Sequence, residues 1–236
     1  MAAAGAGGGG GTGRAPAIRL HHVPQTRSMR VLWLLHELGE PFDVRVWPFD
    51  RSLRSPEHLA LNPVGRTPAL EMDGRAYWES GAIIQILCER FPDVGLGRRP
   101  GTPEWADWLT WLHFAETISG HAQVLTQQHI MLREDRMRSA AITQLEPRRI
   151  GKCYDAIEAG LMGEWLLPSG FSAADVAVGQ TVYMARTFAP VENRPRMTAS
   201  WSRIEARKAY RASLPREGEA RLYARTFYPP LETIDG

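Results

Sequence analysis

Ile18-Arg19-Leu20-His21-His22-Val23, closed by Pro24, is the stretch on which the reading of this chain turns. Its alternation suits a short strand, and a proline cannot continue a sheet ladder. Val31, Leu32, Leu34, Leu35 and Leu38 then recur at helical spacing, and Gly39 followed by Pro41 makes a stop. Phe42, Val44 and Val46 alternate with Asp43 and Arg45, which reads as a second strand. Two strands around a helix within about 30 residues form a β-α-β unit, whose strands lie parallel.

Working outward, a short helical piece is expected around Glu57–Leu61. Thr67–Met72 and Arg75–Trp78 flank Asp73-Gly74, a strong hairpin signal. Ser80 is placed to cap a helix whose apolar stripe is Ile83, Ile84, Leu87 and Phe91. The order β-α-β-α-β-β-α is that of a thioredoxin-like domain, assigned to residues 17–91. Residues 92–101, rich in Pro and Gly, read as a linker. Beyond it strand signals nearly vanish. Trp105, Trp108, Leu109, Leu112 and Ala115 form a helical stripe after Thr102-Pro103-Glu104, and further helices are expected over roughly 139–163, 172–188 and 199–213. Residues 102–236 are therefore expected to be an all-helical domain.

Composition narrows the function classes. The 236 residues are 44% hydrophobic and 23% charged, an ordinary globular mixture. Residues 1–100 carry 12 Lys/Arg against 10 Asp/Glu, and residues 101–236 carry 16 against 16. Without a one-sided basic field, a nucleic-acid partner is not expected. No apolar run approaches the roughly 18 residues that span a bilayer, so no membrane partner is expected either. Two cysteines, Cys88 and Cys153, argue against a disulfide framework and suit a reducing compartment, here the cytoplasm. Gly fills seven of the first thirteen positions, and residues 1–16 read as a disordered tail without a secretory signal.

Several short words now gain meaning together. They are Leu20-His21-His22, Thr26-Arg27-Ser28-Met29-Arg30 leading into Val31-Leu32-Trp33, Asn62-Pro63-Val64-Gly65-Arg66-Thr67-Pro68 and Glu79-Ser80-Gly81. Trp111–Glu116 and Phe171–Asp175 complete the set. From about Ile18 to about Leu214 the chain resembles the bacterial and fungal glutathione S-transferases. The resemblance implies a thioredoxin-like glutathione-binding domain, a helical domain that holds an apolar electrophile, and a homodimer. Glutathione would be a co-substrate, with no metal. By the same resemblance, Ser80 holds the γ-glutamyl carboxylate at a helix N-terminus and Glu79 the ammonium end, where unpaired N–H groups suit an anion. Thr67, before a cis Pro68, pairs through its backbone with the cysteinyl part, and Arg66 is a candidate for the glycyl carboxylate.

The chemistry turns on sulfur. A thiol with a pKa near 8.5 is only a few per cent thiolate at pH 7, and the thiolate is the nucleophile. Lowering that pKa by about two units takes roughly 2.7 kcal/mol of preferential thiolate binding. A hydroxyl donor near a helix N-terminus can supply it. In theta-like relatives this hydroxyl is a Ser four residues before a helix Arg, and counting back from Arg30 lands on Thr26. Ser28 is the alternative; either could instead be a plain helix cap. Residues 21–30 hold no Cys and no Tyr, which disfavours the Cys-based and Tyr-dependent branches.

Other residues read more plainly. Cys88 suits a small core residue, and the pair His21 and His22 lacks partners at metal-ligand spacing. Ser172 and Asp175 have the form of a capping box, assigned to stability. Trp108, Trp111, Phe114 and Ile118 are candidates for the acceptor pocket, or simply core. The expectation is a glutathione transferase, with a peroxidase side-activity left open. The alternative is a transferase-shaped ligand-binding or interaction protein that has lost its chemistry.

Overall fold

The computed structural model describes residues 18–219 and 221–232; the expected tail over residues 1–16 lies outside the described residues. Four strands, β1 (Ile18–His22), β2 (Asp43–Val46), β3 (Ala69–Met72) and β4 (Arg75–Trp78), form one sheet in the order β2-β1-β3-β4. β1 and β2 run parallel, with Leu20 opposite Val44, while β3 is antiparallel to both β1 and β4. Helices α1 (Ser28–Leu38), α2 (Pro56–Leu61) and α3 (Ser80–Arg90) complete this thioredoxin-like half. Among the described residues five α-helices follow: α4 (Trp105–Thr126), α5 (Ala140–Gly160), α6 (Ala173–Ala185), α7 (Pro195–Ala206) and α8 (Lys208–Ser213).

α1 is the hub. Every residue from Ser28 to Leu35 is buried. A helix apolar on nearly all sides is stable only when covered on all sides, here by the sheet, α3, α6 and α8. Gly39, at φ 73°, closes α1 in the left-handed conformation that favours glycine. The β3–β4 turn likewise takes Asp73 and Gly74 to φ 52° and 73°, the geometry of a tight hairpin. α6 approaches α1 so closely that a Cβ on Gly179 would lie 3.2 Å from the Trp33 ring.

Two helix expectations change in detail. The segment expected as one helix over 199–213 is two, divided where Arg207 takes an extended conformation. There its guanidinium lies 3.5 Å above the Phe171 ring and donates to both carboxylate oxygens of Glu37 on α1. The planar fork matches carboxylate geometry and holds the break in place. The expected Ser80 cap also moves. Glu79 occupies the cap position of α3 at φ 72°, and Ser80 is the first helical residue.

The capping box of α6 is present as read. Asp175 accepts from Ser172 N at 2.8 Å, and its other oxygen accepts from Leu166 N at 2.9 Å. The carboxyl is buried, which pushes its pKa up, and these donors pull it back down. Phe171 packs against Trp33 and Trp165. One large apolar core runs through both halves, from Ile18 and Leu20 to Phe188 and Tyr228, beside a small separate cluster of Val23, Trp47 and Leu53.

Candidate functional site

The turn between β1 and α1 gathers the hydroxyl groups. Gln25 adopts φ 60°, and this swings the chain so that Thr26 follows at the mouth of the turn, half-buried. Thr26 Oγ1 donates to Val23 O at 2.8 Å, accepts from Ser28 N at 3.3 Å, and lies 2.8 Å from Ser28 Oγ. It also lies 3.3 Å from Thr67 Oγ1, which belongs to the loop before β3. The Thr67–Pro68 peptide bond is cis. Ser28, by contrast, is fully buried, its Oγ 2.8 Å from His22 Nδ1 and 3.1 Å from Val23 N. Neither hydroxyl caps α1 in the usual manner, because the cap position is Arg27 and its side chain makes no such bond.

The loop that carries Thr67 is braced from behind. Asn62 Nδ2 donates to Arg66 O at 2.8 Å, and His58 Nε2 lies 3.0 Å from the same oxygen. Arg66 itself is exposed, Thr67 is half-buried and Pro68 is buried. Gly65, at φ 66°, sits where an added Cβ would fall 2.9 Å from Leu53 O, so the loop is packed as well as bonded.

Glu79 and Ser80 stand at the junction of β4 and α3. Glu79 is exposed and Ser80 is buried. A non-glycine residue at φ 72° pays for its conformation, and such outliers concentrate at ligand sites. Ser80 Oγ donates to Glu116 Oε1 at 3.3 Å and accepts from Arg30 Nη1 at 3.4 Å. This joins the first half of the chain to α4.

Arg30 is the centre of that junction, and sequence reasoning used it only as a counting mark. Its side chain is wholly buried, and burial lowers its pKa while Glu116 raises it. All five N–H groups of a guanidinium need acceptors there. Nε donates to Gln180 Oε1 at 2.9 Å, and Nη2 donates to Ser119 Oγ at 2.9 Å and Thr181 Oγ1 at 2.8 Å. Nη1 serves Glu116 and Ser80. Gln180 also donates to Thr26 O at 3.3 Å, so one α6 side chain holds both Arg30 and the Thr26 turn. Burial pushes the Glu116 carboxyl up, but the nearby Arg30 and Arg27 charges hold it below the ordinary carboxylate range. A basic residue inside the apolar stripe of α1 was the signal available in the sequence; its distant partners were not.

Of the expected acceptor residues, two are buried and two, Trp111 and Phe114, are half-buried. Trp108 and Ile118 belong to the core, and Trp108 Nε1 donates inward to Leu96 O at 3.2 Å. Trp111 meets Phe114 edge-to-face at 5.6 Å and leans on Gly160 of α5. A cavity open to solvent lies beside Gln25. It measures about 410 Å³ and is lined by Gln25, Tyr183, Arg186, Tyr210, Arg211 and Leu214, among others.

The two histidines of β1 go separate ways. His21 Nε2 lies 2.8 Å from Glu71 Oε1 and its Nδ1 accepts from Trp47 Nε1 at 2.9 Å, whereas His22 faces Ser28. Among the described residues no group of three or more His, Cys, Asp or Glu stands together to hold a metal. Burial pushes the Cys88 thiol up to about 12, which leaves it unreactive. Among the described residues no helix is long and apolar enough to cross a membrane.

Residues 26–90 match the family model described as glutathione S-transferase, N-terminal domain. A glutathione S-transferase of Arabidopsis thaliana is 30% identical over 193 residues, covering 77% of this chain and 87% of that protein. Glutathione S-transferase 3 of Schizosaccharomyces pombe is 31% identical over 99 residues, 42% of this chain and 41% of that one. The theta-class glutathione S-transferase of Xanthomonas axonopodis pv. citri, solved with glutathione bound, superposes with a TM-score of 0.74 at 23% identity. That superposition covers 84% of this chain and 97% of the other, and it speaks for the fold.

Proposed function

Because this chain belongs to the glutathione S-transferase family, we propose that it binds glutathione against β3, β4 and the β1–α1 turn and activates its thiol for attack on an apolar electrophile. One observation carries this reading: the Thr26 hydroxyl lies 3.3 Å from the hydroxyl of Thr67, the residue that by resemblance pairs with the cysteinyl part of glutathione. A cysteinyl unit paired with the Thr67 backbone would then have Thr26 Oγ1 within reach of its sulfur. Ser28 is buried while Thr26 is half-buried, which supports Thr26 over Ser28 as the hydroxyl that would meet the ligand.

The other ends of glutathione would fall to Glu79 and Ser80 at the start of α3, with Arg66 exposed near the glycyl end. Held there, the thiolate and the electrophile need no encounter in solution, and the hydroxyl stabilises the charge as it forms. The electrophile would sit across the Thr26 turn, against the helical half. Residues 17–91 would form the glutathione domain, 92–101 the linker and 102–236 the acceptor domain. A homodimer in the cytoplasm is the accompanying proposal.

Retention on immobilised glutathione, followed by a panel of aryl halides, isothiocyanates and hydroperoxides, tests the reading. Thr26→Ala should keep glutathione binding and raise the pKa of the bound thiol by about one unit, the worth of one hydrogen bond to an anion. An unchanged pH–rate profile rejects Thr26. A second reading, glutathione binding without turnover, is favoured by the methyl group that threonine adds where relatives carry serine. Retention on the column with no turnover on any of the electrophiles would establish it.

A further inference from the structure

Behind Thr26 the hydroxyl groups continue inward as a chain: Thr26 Oγ1 to Ser28 Oγ at 2.8 Å, and Ser28 Oγ to His22 Nδ1 at 2.8 Å. The inner two members are buried, Ser28 completely and His22 to within 4%. Counting protons shows what the chain controls. A hydroxyl has one proton and two lone pairs. Ser28 Oγ spends one lone pair on Val23 N–H, at 3.1 Å. The 2.8 Å separation of the two hydroxyl oxygens requires that one of them donate to the other.

Val23 O, 3.0 Å from Ser28 Oγ, also competes for the Ser28 proton, but the two shorter separations of 2.8 Å each need a proton between their atoms, and two arrangements supply both. If His22 Nδ1 carries no proton, it draws the Ser28 proton, and Thr26 must then turn its own proton inward to Ser28. If His22 Nδ1 carries the proton, it fills the second lone pair of Ser28. Ser28 then donates to Thr26, and the Thr26 proton is free to leave Val23 O and point outward. Only the second arrangement offers a donor to a thiolate, and each donor in it is polarised by the one behind.

We infer that His22 is a positioning residue for thiol activation: its Nδ1–H tautomer, passed through Ser28, aims the Thr26 proton at the bound sulfur. The inference rests on the reading of Thr26 as the thiol-facing hydroxyl. Burial holds the His22 pKa down to about 4, so the ring is neutral at pH 7 and its tautomer, not its charge, is what matters. His22 lies in β1, whose other histidine faces Glu71, so the two rings do not compete for Ser28.

Side-chain amides separate the tautomers. Asparagine places its amide where Nδ1 stands and can donate to Ser28; glutamine reaches only the Nε2 position, and leucine supplies no donor. The pKa of bound glutathione is read from thiolate ultraviolet absorbance in the full-length protein. His22→Gln and His22→Leu should raise it by about half a unit to one unit, since one cooperative link is lost. His22→Asn should restore it to within about 0.2 units, and glutathione Kd should change less than about twofold in all three. A merely structural role would not rescue by amide position.

In the unmutated protein, imidazole nitrogen shifts of labelled histidine should report the Nδ1–H tautomer for His22. Finding the Nε2–H tautomer overturns the inference without any variant. A shifted thiol pKa in Thr26→Ala with no shift in folded His22→Leu overturns the His22 role alone. No shift in Thr26→Ala overturns the Thr26 reading beneath it.

Discussion

Arg30 places a full charge where water cannot follow, and it is tolerated because each of its N–H groups finds an acceptor. Removing one partner of such a pair typically costs 3–5 kcal/mol. Arg30→Lys offers one compact ammonium in place of a planar fork and leaves Gln180, Ser119 and Thr181 competing for it. The expected loss is about 3 kcal/mol, at the low end because Glu116 keeps 34% exposure. Urea denaturation measures it, and a midpoint equal to the unmutated protein's would show that the network stabilises nothing. His22 makes a pH-dependent contribution of a different kind. Its folded pKa, about 4, lies below the unfolded value of 6.5, so the unfolded chain takes up a proton that the folded chain refuses. That contribution is complete above pH 6.5 and is lost as pH falls toward 4, by about 3 kcal/mol at most. His21, also lowered by burial, acts in the same direction. Urea midpoints taken across this window should fall with pH, and His22→Asn should flatten the slope.

At the scale of elements, the capping box of α6 does more than begin a helix. Asp175 satisfies Ser172 N and, from nine residues away, Leu166 N, so its loss leaves two buried donors without partners. Asp175→Ala is expected to cost about 2–4 kcal/mol and lower Tm by roughly 5–15 °C, with glutathione affinity per folded molecule unchanged. Differential scanning calorimetry and a glutathione titration decide it together. This element was legible in the sequence because its bonds are local: Ser, two alanines and Asp state the motif within four positions. β4 was legible for the same reason, since Asp73-Gly74 sets where it begins. The break between α7 and α8 was not, because Arg207 is drawn out of helix by Glu37, 170 positions earlier. The placement of Ser80 failed likewise: whether its hydroxyl turns to its own helix or to Glu116 depends on α4.

For the whole molecule, the thioredoxin-like half and the helical half share one core and one buried ion network. The fold class was readable from the order of strand and helix signals, and so was the loop that leads into β3, whose residues lie close in sequence. The buried junction at Arg30 and the cavity beside Gln25 needed three dimensions, because α1, α4, α6 and α8 each supply only a few of their groups. The energetic consequence is that neither half stands alone. Thermal unfolding followed by far-ultraviolet dichroism and by tryptophan fluorescence should give one coincident transition. Two separated transitions would mean that the Arg30 network does not couple the halves.

The last described stretch of chain is tied to the first turn. Tyr223 N donates to Gln25 Oε1 at 2.8 Å, the Tyr223 hydroxyl lies 3.0 Å from Thr126 Oγ1, and Leu231 N donates to Thr143 Oγ1 at 3.1 Å. Gln25 is the residue whose turn presents Thr26. An affinity handle or fusion partner joined beyond Leu231 would therefore tug, through Tyr223, on the turn that presents Thr26, and assays made on such material would report a disturbed protein as though it were the native one.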